Sequence, residues 1–202
     1  MGILRKYLFG LLLSLAFVIV GVAGLLLTKP YTFQGTLIDS PQPAPEFTLN
    51  DQHNQPFDLG AQKGNIVLMF FGYTHCPDVC PATLANFKEL SDRLGSQVKD
   101  VRFVFITVDP QRDTATVMQE FLAKFNPAFV GLVGSQPNLA PVWKSYGVFV
   151  QAQPVTGSDN YLETHSDLIY LIDRQGRLRL TYSNDTPVEN LLQDVQYLLR
   201  NN

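Results

Sequence analysis

The chain has 202 residues, 46% of them hydrophobic and 16% charged, with a formal net charge of −3. That length suits one well-buried domain with appendages and is short for two. With no Lys/Arg run, no basic stripe and no acidic tail, nothing in the composition calls for nucleic acid as a partner.

From Tyr7 to Leu27 not one residue is charged. As a helix this run spans roughly 30 Å, the thickness of a bilayer's hydrocarbon core. Arg5 and Lys6 precede it and only Lys29 follows closely, so the positive-inside rule leaves the N-terminus cytoplasmic. A cleaved signal peptide is the alternative. Against it, the run exceeds the usual ~7–15-residue apolar core and ends in Leu25-Leu26-Leu27-Thr28 where a small-x-small site would be needed. Residues 1–28 are therefore expected to be an uncleaved anchor, with the remaining chain on the far side of the membrane. The lack of an Arg/Ser-rich transit peptide favours a bacterial inner membrane over a mitochondrial one.

Residues 29–45 read as a spacer stiffened by Pro30, Pro41, Pro43 and Pro45; fully extended, it would reach ~50 Å. The folded domain is expected over 46–202. It opens with a short hairpin, Phe47-Thr48-Leu49 and Pro56 to Leu59 around a polar turn. Ile66 to Phe71 and Val101 to Val108 are apolar at nearly every position, as in strands buried on both faces of a helix-covered sheet. Ala82 to Leu94 has the spacing of a crossover helix. Further helices are expected near Thr114 to Phe125 and Asn138 to Tyr146. Leu168 to Ile172 and Arg177 to Tyr182 flank Asp173-Arg174-Gln175-Gly176, a hairpin turn with a late Gly. Thr186 and Glu189 form a capping box for a last helix whose apolar face runs from Val188 to Leu199. The order suits an α/β, thioredoxin-like fold: a mixed β-sheet flanked by helices and preceded by one transmembrane helix.

The two cysteines, Cys76 and Cys80, stand four apart just after the first buried strand. At helical spacing, residues i and i+4 share a face with Cα atoms about 6 Å apart, so the sulfurs can converge on a metal or bond to each other. A helix N-terminus also favours thiolate. A purely stabilising disulfide is the plain alternative, but so small a loop constrains the unfolded chain little.

Of the three histidines, His53 lies in a polar turn, and His75 adjoins Cys76, where neighbouring side chains usually diverge. His165 lies three residues before the buried strand Leu168–Ile172. In thioredoxin-like domains the loop leading into this strand packs over the cysteine motif and normally carries a cis-proline; here there is no proline between Pro154 and Pro187, and a histidine stands near that position. Two thiolates and an imidazole suit copper, Cu(I) or Cu(II), whereas closed structural zinc would want a fourth Cys or His. Asp78 is open as a fourth donor, a helix cap or a solvent-facing carboxylate.

Phe71 to Pro81 (FGYTHCPDVCP), Thr107 to Thr114 (TVDPQRDT) and Tyr161 to Gly176 resemble, in the same order, the motifs of the Sco/SenC family of copper chaperones, and the similarity runs from about Gly35 to Tyr182. The resemblance implies that Cys76, Cys80 and His165 bind copper. It further implies service to cytochrome c oxidase, in assembling the dinuclear CuA centre of subunit II. The chain departs at Thr164, where the family commonly has Asp; Glu163 is a possible substitute as a partner of the imidazole. Asp109 and Arg112, at the end of a central strand, are candidates for a supporting role; otherwise Asp109-Pro110 makes the turn, Arg112 pairs locally, and Asp113 or Thr114 caps the next helix.

Two functions compete. One is a metallochaperone without enzymatic turnover, passing copper to a partner's thiolates from a donor that the sequence does not identify. The other is a membrane-anchored thiol–disulfide oxidoreductase in which Cys76 and Cys80 form the redox pair and reduce the copper acceptor. A thiol peroxidase would want a Thr three residues before the reactive Cys in a Pro-rich loop, and Thr74 is two before.

Overall fold

The computed structural model describes residues 2–27, 30–38, 40–154, 161–165 and 167–201, the side chains of 3, 4, 23–27, 152–154 and 161–165 excepted. The chain divides into two compact units, Met1–Phe33 and Gln34–Asn202.

The first unit is built on α1 (Gly2–Leu27), a helix without a charged residue from Tyr7 onward. Its window Arg5–Val22 is long and apolar enough to cross a membrane, and Leu8, Phe9, Phe17 and Val20 are exposed along it.

The second unit is a mixed eight-stranded sheet with helices on both faces. In chain order its elements are β1 (Thr36–Leu37), β2 (Thr48–Asp51), β3 (Pro56–Asp58), β4 (Ile66–Gly72), α2 (Val79–Leu94), β5 (Val101–Thr107), α3 (Ala115–Ala123), β6 (Val130–Val133) and α4 (Gln136–Ser145). There follow β7 (Val150–Pro154), β8 (Tyr161–His165), β9 (Ile169–Ile172), β10 (Leu178–Tyr182) and α5 (Val188–Asn201). The sheet order is β1-β10-β9-β4-β5-β6-β2-β3. β4, β5 and β6 run parallel, and β9 lies antiparallel against β4.

The unbroken apolar runs are explained by burial on both faces. Every residue of β4 is buried, and successive side chains point to opposite sides of the sheet. Phe71 meets Tyr146 after α4 and Tyr170 of β9 at centroid distances of 5.7 and 5.6 Å. Phe70 lies on the other face and packs on Phe105. Phe87 of α2 joins Phe103 and Phe129 in a ring cluster.

The β9–β10 turn closes as its residues dictate. Gly176 takes φ +78°, a conformation that costs glycine little, and buried Asp173 accepts from the backbone N–H groups of Gln175 and Arg177. At α5, Glu189 pairs with Arg93 of α2 and so does not turn back on Thr186 as a capping box would require.

The structure shortens the expected spacer of residues 29–45. Thr36 and Leu37 pair with Thr181 and Leu180 of β10, Pro43 bridges to Arg177, and Ala44 is buried. Asp194 of α5, itself fully buried, accepts from the backbone N–H groups of Gln34 and Gly35 and from the Tyr182 hydroxyl. Extended Pro-rich chain is therefore used as an edge of the domain. A second addition is the β7–β8 hairpin, a separate two-stranded sheet in which Val150 pairs with His165, where an irregular loop was expected.

Candidate metal centre

The site sits at the C-terminal ends of β4 and β5, where two parallel strands stop side by side and their loops meet. Gly72 ends β4, Cys76 lies in the loop that follows, and Cys80 is the second residue of α2. The cysteines therefore do not share a helical face, as the i, i+4 spacing suggested. They converge because the loop folds back: the Cys76 N–H donates to the Tyr73 carbonyl at 3.2 Å, and the Cys80 N–H donates to the Cys76 sulfur at 3.4 Å. No disulfide joins the two cysteines in this structure; Cys80 is buried and Cys76 half-buried.

Gly72 makes this packing possible. A Cβ there would lie 2.8 Å from the Cys80 sulfur and 2.8 Å from the Phe105 ring, so only glycine leaves room for the sulfur. Hydrogen bonding with Cys76, then burial, pushes the Cys80 thiol well above its ordinary range. Proximity of the two sulfurs thus outweighs the helix N-terminus, which alone would favour thiolate. Asp78 occupies the N-cap position of α2, but its side chain makes no capping bond and is exposed, the solvent-facing arrangement.

The loop after β5 holds the cysteine loop from the side. The Val108 N–H donates to the Gly72 carbonyl at 2.8 Å, and the Arg112 guanidinium lies 5.7 Å from the centre of the Tyr73 ring. Asp113, with its side chain wholly inaccessible, accepts from the Thr74 N–H at 3.1 Å, the Thr74 hydroxyl at 2.6 Å and the Thr107 hydroxyl at 2.7 Å. Burial holds the Asp113 carboxyl above its ordinary range, and these hydrogen bonds offset only part of that rise. Arg112 pairs locally with Asp109, one of the two readings that the sequence left open for it. Thr114 caps α3, accepting from the Val117 N–H, which leaves Asp113 to turn inward.

His75, Asp109 and Asp113 bring three potential ligand atoms within 4.8 Å of one another. Protein groups already use them: Arg112 takes Asp109, three donors take Asp113, and the Thr74 hydroxyl lies 3.0 Å from His75 Nδ1. The cluster is a hydrogen-bonded frame, and His75 remains half exposed.

His53 lies in the exposed turn between β2 and β3. His165 ends β8, and its backbone register sets it opposite Val150. Val150 lines a cavity of about 450 Å³ together with Val108 and Asp109 from the loop after β5 and Trp143 of α4. The His165 side chain, Thr164 and Glu163 lie outside the described side chains, so the structure brings together two of the three proposed ligands. Gly72, Thr74, Thr107 and Asp113 shape the site without having been singled out as part of it. Their signal is tertiary: Gly72 packs on Cys80 and Phe105, and Thr74 and Thr107 meet on Asp113.

The chain matches the SCO1/SenC family over residues 36–200. It is 39% identical over 148 residues to an SCO2-like protein of Rickettsia felis, covering 71% of each chain. A Bradyrhizobium japonicum ScoI structure with copper bound is 36% identical with a TM-score of 0.72, over 78% of this chain and all of that one. An Arabidopsis thaliana ScoI structure with copper bound is 31% identical with a TM-score of 0.73, over 80% of this chain and all of that one. With its cysteine motif between β4 and α2 of a thioredoxin-like sheet, the chain belongs to the SCO1/SenC family.

Proposed function

We propose that this protein is a membrane-anchored copper metallochaperone. Copper is its cargo, held by Cys76 and Cys80 with His165 as the third donor, and its receiver is the CuA centre of cytochrome c oxidase subunit II. The observation that carries this reading is the convergence of the two cysteines, the Cys80 sulfur packed on Gly72 and the Cys80 N–H on the Cys76 sulfur. Soft sulfur donors side by side suit copper, and the relatives solved with copper bound support the assignment. The oxidase partner follows from the family resemblance. In this reading α1 anchors the chain in the bacterial inner membrane, N-terminus inside and residues 29–202 on the periplasmic side; Arg5 and Lys6 before the span support that orientation.

The test is copper titration of the reduced full chain in detergent, following thiolate-to-copper absorption. Stoichiometric binding that is lost in Cys76→Ala and Cys80→Ala, and sharply weakened in His165→Ala but not in His53→Ala, is the expected result. Wild-type affinity in His165→Ala removes the third ligand. Mixing the loaded protein with a reduced subunit II fragment then tests delivery.

The thiol–disulfide reading is favoured by one observation, the unequal exposure of the pair: Cys76 is half-buried and Cys80 fully buried. A reductant needs an accessible attacking sulfur and a second one behind it. A parent protein that binds no copper yet reduces disulfides in the subunit II fragment decides for this alternative.

A further inference from the structure

Asp113 is a buried carboxylate that bonds to the loop carrying Cys76. Its side chain is wholly inaccessible, and both oxygens accept from Thr74: Oδ1 from the hydroxyl, Oδ2 from the N–H. Oδ2 also accepts from Thr107, whose own oxygen accepts from the Asp109 N–H at 2.9 Å. Three donors converge on one carboxylate, which an ionised side chain satisfies and an amide cannot. Thr74 is two residues before Cys76, and the turn from Tyr73 to Cys76 follows from where Thr74 is pinned.

We propose that Asp113 is a positioning residue for copper binding: through Thr74 it fixes the loop that places the Cys76 sulfur over Cys80. The geometry is direct. Gly72 is tied to Val108, Tyr73 lies under Arg112, and Thr74 is gripped by Asp113, so consecutive residues leading to Cys76 are each held by the loop after β5. A soft-metal site with few ligands depends on such outer support, and loss of a supporting partner typically weakens metal binding about 10- to 100-fold. The inference rests on the copper-binding reading of Cys76 and Cys80.

The experiment compares the full chain in detergent with Asp113→Asn, Thr74→Val, Thr74→Ser and Asp173→Asn. Asp173 is the matched control. It is equally buried and accepts from Arg177 and two backbone N–H groups, but in the turn after β9, beside Ile172, which pairs with Val67 at the other end of β4 from Gly72. Buffered Cu(I) is the affinity probe, and the thiolate-to-copper(II) absorption band is the spectroscopic one. Asp113→Asn and Thr74→Val are expected to weaken Cu(I) binding about 10- to 100-fold and move the band. Thr74→Ser, which keeps the hydroxyl, restores both, while Asp173→Asn lowers thermal stability without changing either.

Wild-type affinity and band in both Asp113→Asn and Thr74→Val overturn the proposal, as does an equal change in Asp173→Asn. If Asp113→Asn does not fold, Thr74→Val decides on the same criteria. If the parent itself binds no copper, the functional reading fails, and the clamp is then judged on the apo protein by the rate of Cys76 alkylation with iodoacetamide. A several-fold change in Thr74→Val that Thr74→Ser reverses upholds it; an unchanged rate overturns it.

Discussion

The backbone N–H of Cys80 donates to the sulfur of Cys76 at 3.4 Å, joining the first turn of α2 to the loop before it through a side chain. The bond turns a sulfur lone pair toward the N-terminus of α2. The pair is also unequal, Cys80 lying wholly inside and Cys76 half-buried.

That inequality predicts selective chemistry. In the reduced apo protein at pH 8, iodoacetamide is expected to modify Cys76 and leave Cys80 untouched, because burial and hydrogen bonding keep the Cys80 thiol protonated. Peptide mass spectrometry reads the result. Labelling first at Cys80 would contradict the packing over Gly72.

Copper affinity should rise with pH. The Cys80 thiol is raised from its ordinary value, so the metal must displace a proton that the folded site holds tightly, and mass action favours that exchange as protons become scarce. The apparent binding constant should climb by roughly tenfold per pH unit for each thiol proton displaced, from pH 6 through pH 8. Competition titrations against a chelator of known proton dependence measure the slope. A flat profile would mean that Cys80 is not a ligand.

Gly72→Ala is expected to damage stability and site together. Its Cβ would meet the Cys80 sulfur and the Phe105 ring at 2.8 Å each, overpacking that costs about 1–3 kcal/mol. Because one of the displaced atoms is a proposed ligand, copper binding should fall as well. Chemical denaturation and copper titration of the same sample separate the two effects.

Asp194→Ala removes the acceptor shared by the Gln34 and Gly35 N–H groups and the Tyr182 hydroxyl. Leaving buried donors unpaired costs about 1–3 kcal/mol. The expected phenotype is a lowered melting temperature and faster proteolysis around residues 34–38, with the copper absorption band unchanged. A shifted band would show that the edge of the sheet is coupled to the cysteine loop.

The central strands were legible because two-sided burial leaves a plain mark: β4 and β5 have almost no polar residue to hide. The cysteine pair was legible from its place after β4, although the helical argument for convergence was wrong in detail, since Cys76 precedes α2. What escaped was set by partners distant in sequence. Two-residue β1 has no periodicity to read and exists through pairing with β10. Asp194 stands among the apolar residues of α5 and is buried there because backbone donors 159 and 160 residues away meet it. Asp113 looked like a cap for α3 as much as Thr114 did; the difference lies in Thr74, reached across two strand ends.

The Asp194 clamp also determines how the domain bears load. A pull transmitted along the chain from its N-terminal side reaches the folded unit at Gln34, is taken up by a carboxylate on α5 and passes into the β1–β10 edge. One further strand, β9, separates that edge from β4. Strain entering at Gln34 therefore falls on the rim of the sheet before it can reach β4, the strand that leads into the cysteine loop.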